Sequence, residues 1–165
     1  DLPSVALVRA LTWQTAYAGQ VDPDELRTLT DPDVLDAWSR RAAATGSTTY
    51  LVAEVDGEIV GVAAFGAERS EQPVQFRGEL YALYVLPEHW RAGSGSALLH
   101  ATLDELAECG FDVVTLWVLV GNDRAVGFYA RHGFRATGER VRDHRGLDEL
   151  RMSRLLGPRG DLERR

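Results

Sequence analysis

The sequence predicts an α/β (α+β) fold: a mixed central sheet with a parallel βαβ core and flanking helices. Alternating residues over Glu79–Val85 indicate a strand, and a helical pattern follows it through Leu106. A second apolar run, Asp112–Val120, then indicates a buried strand, and a strand-helix-strand order is typical of a parallel pair. The chain has 165 residues and is 45% hydrophobic. It can bury a sizeable core, so we expect one domain over 1–157 and a flexible tail over 158–165.

The first third of the chain is predicted to be helical. Residues 4–18 follow helical spacing, Asp22-Pro23 opens a second helix over 24–29, and Asp31-Pro32 opens a third through about Ala44. An aspartate followed by a proline is a typical helix start, because the carboxylate caps free amides and proline fits the first turn.

A hairpin is predicted next. The dipeptide Asp56-Gly57 separates strand patterns at 50–55 and 58–65, which is a strong signal for a two-residue turn. The polar stretch 68–78 that follows has no regular pattern and is predicted to be a loop, of the kind that often lies over a site.

Helix and strand signals continue to the end of the chain. The long helix after the first βαβ strand ends at Gly110, a residue that suits a helix C-terminus. A short helix is predicted over 124–132, and two strands over 135–141 and 147–155 are separated by a charged turn at 143–146.

Composition excludes several classes of protein. The net charge is −7, and all 18 basic residues are arginine. An acidic surface argues against nucleic acid as a partner and fits a cationic acceptor, although solubility alone would also explain it.

A single cysteine, Cys109, excludes an internal disulfide, and we expect it to be a buried structural thiol. No apolar run reaches membrane length and no signal sequence is visible, so a cytoplasmic protein without a membrane partner is expected.

The strongest functional signal is the loop between the first βαβ strand and its helix. Gly93 and Gly95 can adopt positive φ and let the backbone come close to a ligand. The amides at the start of the following helix are unpaired and carry the positive end of the helix dipole. This arrangement favours a phosphate or pyrophosphate, with a plain strand-to-helix turn as the alternative.

A second motif identifies a family. Asn122, Ala125, Phe128, Tyr129, Gly133 and Phe134 stand in the register N-x-x-A-x-x-F-Y-x-x-x-G-F. Together with the glycine loop, this resembles the GNAT superfamily of N-acetyltransferases over most of the chain. The resemblance implies the GNAT fold and acetyl-CoA as the co-substrate. It also implies a short strand before the first helix, which is not visible here, so residues ahead of Asp1 are expected.

The resemblance implies where coenzyme A binds. The pyrophosphate is expected on the backbone amides of the loop, and the pantetheine beside the preceding strand and near Asn122, with Asn122 as an ordinary turn residue in the alternative. Trp90 departs from the Gln or Arg that the family usually has at this position, which puts a side-chain contact there in doubt. The implied cofactor-binding residues are Leu83, Tyr84, Val85, Arg91, Ala92, Gly93, Ser94, Gly95, Ser96, Asn122 and Tyr129.

Two catalytic roles follow from the resemblance. Tyr129 matches the family's tyrosine that protonates the departing thiolate, and a phenol and a thiol have similar acidities. Packing against Phe128 and the sheet is its alternative role. Glu79 matches a catalytic glutamate of some members and could accept the amine's proton directly or through water. Other members use a glutamate where this chain has Leu119, so an exposed strand-end carboxylate remains the alternative for Glu79.

The acceptor is expected to be a primary amine of a small molecule or peptide. Trp13 and Tyr17, one helical turn apart, resemble an aromatic pair that lines the acceptor pocket in related enzymes, and Tyr81 shares a strand face with Glu79. Both aromatic residues of the pair could equally belong to the core. The four histidines show no metal-ligand spacing, so no metal is expected. A homodimer is left open.

Two other functions remain as alternatives. A non-catalytic, acyl-CoA-binding regulatory module would fit if Trp90 and Leu119 mark a loss of activity. A nucleotide-binding α/β domain fits less well, because the chain has neither a G-x-G-x-x-G motif after a strand nor a Walker lysine.

Overall fold

The computed structural model describes residues 2–44, 46–70, 73–143 and 145–157. All predicted helices and strands are present, and their bounds are α1 Leu2–Ala16, α2 Pro23–Thr28, α3 Pro32–Ala44, β1 Thr49–Val55, β2 Glu58–Ala67, β3 Arg77–Val85, α4 Ser94–Glu108, β4 Val113–Leu119, α5 Asp123–Arg131, β5 Arg135–Arg142 and β6 Asp148–Leu155. A 3₁₀ turn at Pro87–His89 lies between β3 and α4. The predicted tail 158–165 and His144 lie outside the described residues.

The strands form one sheet in the order β1-β2-β3-β4-β6-β5. β3 and β4 are parallel and are connected through the 15 residues of α4, which confirms the βαβ prediction. β1 and β2 form the predicted hairpin, with φ of 53° at Asp56 and 86° at Gly57. Positive φ at both central residues is the geometry that an Asp-Gly turn favours.

The chain divides into two compact units. The first comprises the residues up to Phe65 together with Ala82–Thr102, and the second comprises Gly66–Tyr81 together with the residues from Leu103 onward. The division passes through β3 and α4, so each unit has part of the βαβ element. One domain over 1–157 remains a prediction.

In the first unit, α1 packs its apolar face into a small core. Val5, Val8 and Val62 are buried together, and Trp38, Tyr50, Ile59, Tyr84 and Leu86 pack around them. Gly61 on β2 has no room for a side chain, because a Cβ there would lie 2.9 Å from Leu98 Cδ1 and 3.2 Å from the carbonyl oxygen of Tyr84. The absence of a side chain therefore lets β2 lie close to the end of β3.

In the second unit, β3 lies equally close to α4. A Cβ on Gly78 would lie 2.9 Å from Leu106 Cδ2 and 3.2 Å from Phe111 Cγ. Leu106, Val114 and Leu116 are buried. Because neighbouring residues of a strand face opposite sides, Arg77, Glu79 and Tyr81 point to the sheet face away from this contact.

The parallel ladder between β3 and β4 is short. It pairs Arg77–Leu80 with Val113–Leu116. Both strands continue, and in the described part of the second unit the ladder does not include Tyr81 and Trp117. β4 meanwhile pairs with β6 over its whole length, from Val113 to Leu119. Within the second unit, the pairing of β3 with β4 is therefore confined to the first residues of β3.

The prediction for Cys109 was wrong. Cys109 is exposed rather than buried, because α4 ends at Glu108 and the chain turns away at Gly110 with φ of 88°. Among the described helices, none combines the length and the apolar character needed to cross a bilayer.

Candidate active site

The loop after β3 begins at a carbonyl oxygen that accepts two hydrogen bonds. Val85 O accepts from Thr12 Oγ1 on α1 at 3.1 Å and from the indole Nε1 of Trp90 at 2.6 Å. Both lone pairs of this oxygen are therefore occupied. The carbonyl of Val85 is therefore not open to a ligand, although the resemblance implies that the backbone of residues 83–85 binds the pantetheine.

Trp90, the departure from the family pattern, has a structural contact in this loop. An indole has one N–H donor, and that of Trp90 is used on Val85. It cannot also donate to a pyrophosphate. The Trp90 side chain instead holds the loop against the end of the strand.

The backbone of the loop turns through two residues with positive φ. Arg91 has φ of 63° and Gly93 has φ of 93°. An arginine in this conformation is uncommon and strained, and such strain is frequent at ligand sites. Gly95 differs from its prediction, because it lies in the first turn of α4 and has no positive φ.

Four amides of this segment lack a protein acceptor. The amide of Ala97 closes the first turn of α4 on Gly93 O at 2.9 Å, and that of Ala92 donates to His89 O at 3.4 Å. Within the described residues, no acceptor faces the amides of Arg91, Gly93, Ser94 and Gly95. Amides at a helix start with alternating backbone handedness form a concave site for anions. We call residues 91–96 the amide cradle.

The aromatic pair on α1 is also in the first unit. The rings of Trp13 and Tyr17 meet edge to face at 4.6 Å, and the Arg9 guanidinium lies 4.8 Å above the Trp13 ring. Trp13 is buried and Tyr17 is half-buried. This arrangement fits both the core and the acceptor-pocket interpretation.

The second unit holds Asn122 and Tyr129. Asn122 caps α5, because its Oδ1 accepts from the amide of Ala125 at 3.2 Å. This contact fits the alternative of an ordinary turn residue, and it leaves the Nδ2 group of Asn122 for a ligand. Tyr129 is 9% exposed, and its ring packs edge to face on Phe128 and Phe134 at 5.4 and 5.6 Å. These contacts fix the direction of the phenol.

Glu79 is buried rather than exposed, contrary to the alternative of a solvated strand-end carboxylate. Its residue exposure is 6%, and its Oε2 accepts from the backbone amide of Arg69 at 2.8 Å. Its Oε1 lies 3.8 Å from Arg69 Nη2. Sequence reasoning did not find Arg69, because one arginine in a polar loop has no distinguishing pattern.

Tyr81 lies beneath the same arginine. The Arg69 guanidinium carbon is 3.5 Å from the centre of the Tyr81 ring, and the Tyr81 hydroxyl donates to Ala67 O at 2.5 Å. Burial raises the pKa of the Tyr81 phenol, the positive charge of Arg69 opposes this increase, and the negative charge of Glu79 adds to it.

A buried ion network anchors the residue before Arg69. Glu68 accepts hydrogen bonds from Arg151, from Arg77 at 3.3 Å and from the amide of Val74 at 3.0 Å. Arg151 also donates to Glu139 at 2.9 Å, and burial lowers the pKa of its guanidinium. Arg151 is 7% exposed, so this network lies almost entirely out of contact with solvent.

Within the described residues, no group of three or more His, Cys, Asp or Glu side chains is placed to hold a metal ion.

The chain is similar in sequence to known acetyltransferases. The model of the Acetyltransferase (GNAT) family matches residues 7–134. Among curated proteins, the uncharacterized N-acetyltransferase YuaI of Bacillus subtilis is 32% identical over 130 residues, which cover 79% of this chain and 73% of YuaI.

Solved structures share the fold. The PaiA N-acetyltransferase of Thermoplasma acidophilum, in complex with coenzyme A, superposes with a TM-score of 0.69 at 19% identity, covering 94% of this chain and 92% of that one. YncA from Salmonella typhimurium, an acetyltransferase solved with acetyl-CoA, gives a TM-score of 0.66 at 25% identity, covering 96% and 90% of the two chains.

The stacked geometry of Arg69 and Tyr81 predicts how the phenol titrates. In the folded protein the pKa of Tyr81 should exceed that of free tyrosine, about 10. Arg69→Gln should raise it further and Glu79→Gln should lower it, because each change removes one of the opposing charges. The measurement is NMR titration of ring-labelled tyrosine, with Tyr81→Phe to identify the signal.

The sign of the linked stability follows. Because the folded state holds this proton more tightly than the unfolded state, the contribution is full below pH about 10 and is lost as the pH rises through the folded pKa. A pKa that falls or stays constant in Arg69→Gln would contradict the stacking.

Proposed function

The chain belongs to the GNAT acetyltransferase family, and we propose that it transfers an acetyl group from acetyl-CoA to a primary amine of a small molecule or peptide. The amine attacks the thioester directly, and the tetrahedral intermediate collapses to amide and thiolate. The observation that carries this proposal is the amide cradle, in which the N–H groups of Arg91, Gly93, Ser94 and Gly95 face no acceptor among the described residues and match the oxygens of a pyrophosphate.

Acetyl-CoA is the co-substrate. The cradle and the coenzyme A or acetyl-CoA in two structures of the same fold support this. Backbone amides bind regardless of the side chains they carry, so Trp90 in place of Gln or Arg is compatible with binding. We assign the pyrophosphate to the amides of residues 91–96, with a smaller part for Ala92 because its amide already has an acceptor.

The pantetheine is proposed to lie along the backbone of Leu83, Tyr84 and Val85, in the manner of an added strand. The carbonyl of Val85 is left out of this role because two protein donors occupy it. Asn122 contributes its Nδ2 group, since its Oδ1 caps α5.

Tyr129 is proposed as the general acid. When the intermediate collapses, negative charge develops on sulfur, and a fixed phenol can donate a proton to it. The match to the family motif supports this role, as does the packing on Phe128 and Phe134, which restricts the ring to one orientation.

Glu79 is proposed as the general base. An amine must lose a proton to form the amide, and a buried carboxylate on β3 can take it directly or through water. The bond from the Arg69 amide occupies one of about four lone-pair positions, so the carboxylate can still accept from an acceptor amine. Trp13, Tyr17 and Tyr81 are the proposed acceptor-binding side chains.

Cofactor binding is tested at the helix start. Gly95→Val should weaken acetyl-CoA binding about tenfold or more. A branched side chain keeps the pyrophosphate away from the backbone amides, and the loss of one hydrogen bond to a charged oxygen has an effect of this size. Valine forms helices no worse than glycine, so α4 should persist. The measurement is isothermal titration calorimetry with acetyl-CoA. Ala101→Val, an exposed position of the same helix, is the matched control and should bind normally. Unchanged affinity in folded Gly95→Val would disprove the cradle.

The general acid is tested by Tyr129→Phe. Acetyl-CoA affinity and stability should be preserved, because phenylalanine keeps the ring contacts, while turnover should fall about 10- to 1,000-fold, near the range for a positioned acid. Single-turnover acetyl transfer is the measurement, since slow product release could mask the loss in steady state. Tyr50→Phe on β1 is the control. A single-turnover rate equal to the parent's at every pH would leave Tyr129 with packing alone.

The general base is tested by the pH profile of Glu79→Gln. Activity should fall most at acidic and neutral pH, where the amine is protonated, and least at high pH, where free amine forms unaided. Initial rates of thiol release across pH measure this, with Glu58→Gln on β2 as the control. A loss of equal size at every pH would indicate a positioning role, and no loss would remove Glu79 from catalysis.

A further inference from the structure

Three arginines of the second unit lie next to Glu68 or Glu79, and they differ in what they bind. Arg77 and Arg151 both donate to the buried carboxylate of Glu68, and Arg151 donates to Glu139 as well. Arg69 is 56% exposed through its side chain, with one face of its guanidinium on the Tyr81 ring. Arg77 and Arg151 thus donate to carboxylates of the fold, whereas the Arg69 guanidinium stacks on a ring and remains partly exposed to solvent.

The guanidinium donors of Arg69 make no hydrogen bond to the described residues. Within the described part of the chain, no acceptor lies within hydrogen-bonding distance of its guanidinium, and Glu79 Oε1 is 3.8 Å from Nη2. Stacking on an aromatic ring fixes the plane of a guanidinium and leaves its edges free. A fixed edge with two parallel N–H groups is the geometry that binds a carboxylate through two hydrogen bonds.

Two contacts fix the backbone from which the Arg69 side chain extends. The backbone amide of Arg69 is tied to Glu79 Oε2 at 2.8 Å, and the preceding Glu68 is anchored in the ion network. Ordering a long side chain normally costs conformational entropy on binding. Because the fold already restricts Arg69, less conformational entropy is lost when it binds a ligand, which is typical of a residue used in recognition.

We propose that Arg69 binds a carboxylate of the acceptor, and that the acceptor is a free α-amino acid. This rests on the proposed function, in which Glu79 takes the proton of the amine. The Arg69 guanidinium and the Glu79 carboxylate lie side by side with opposite charges. An α-amino acid zwitterion carries the complementary pair of groups, an ammonium and a carboxylate joined through one carbon. The ammonium meets Glu79 and the carboxylate meets Arg69.

The test uses acceptors that differ only at the carboxylate. Thiol release is measured for L-amino acids with apolar, polar and charged side chains, for their carboxamides, and for the corresponding decarboxylated amines. The amino acid should have the highest kcat/KM in at least one set. Arg69→Gln should lower that kcat/KM about 10- to 100-fold, mainly through KM, which is the range for a hydrogen bond to a charged group. The other two acceptors should change little.

Two further variants sharpen the result. Arg69→Lys keeps the charge and loses the paired donors, so it should restore only part of the preference. Arg135→Gln, an exposed position on β5, removes the same charge elsewhere and should leave all three acceptors unaffected.

Each contrary outcome has a distinct meaning. Equal rates for the three acceptors, or a preference for the amide or the decarboxylated amine, would overturn the proposal. So would a uniform loss on all acceptors in Arg69→Gln, since that is the mark of a merely structural residue. If acetyl-CoA fails to bind in calorimetry, the proposed function itself fails. If acetyl-CoA binds and only other amines are acetylated, that function stands and the amino-acid assignment falls.

Discussion

The carbonyl oxygen of Val85 is the point on which the geometry of the cradle depends. Thr12 from α1 and Trp90 from the following loop both donate to it, so one atom ties a helix, a strand end and a turn together. A strand that continued further would carry the chain away from the helix start. Because it ends here, positive φ at Arg91 and Gly93 can turn the amides toward one side. The amide cradle is thus a consequence of where β3 ends.

In the second unit, a buried ion network fixes the position of a loop in a similar way. Glu68 faces two guanidinium groups and a backbone amide and is nearly inaccessible. Such a network gains little net stability over apolar packing, because desolvation offsets most of the attraction. Its value here is positional. With Glu68 fixed, the backbone amide of Arg69 donates to Glu79 and its guanidinium lies over the Tyr81 ring.

Local patterns were enough to predict the fold from the sequence. Asp56-Gly57 specifies a turn by its own backbone preferences, and the apolar periods on either side of Gly93 specify strand and helix without knowledge of the rest. Features that depend on distant contacts had no signal in the sequence. The burial of Arg151 is one of them, because its partner Glu68 lies far away in the chain. The prediction that Cys109 is buried was wrong, because this residue lies one position past a helix end that propensity cannot locate so finely.

The same distinction separates the amide cradle of the first unit from the residues around Arg69 in the second. A cradle of backbone amides requires only a turn and a helix start, so glycine spacing reveals it, and a change such as Trp90 leaves it intact. Recognition of an acceptor requires particular side chains brought together by the fold. Arg69 stands ten residues from Glu79 in a stretch without pattern, and only the structure brings their charges side by side. In the proposed function, cofactor binding therefore depends on backbone amides, while the choice of amine depends on loop side chains such as Arg69 that no motif records.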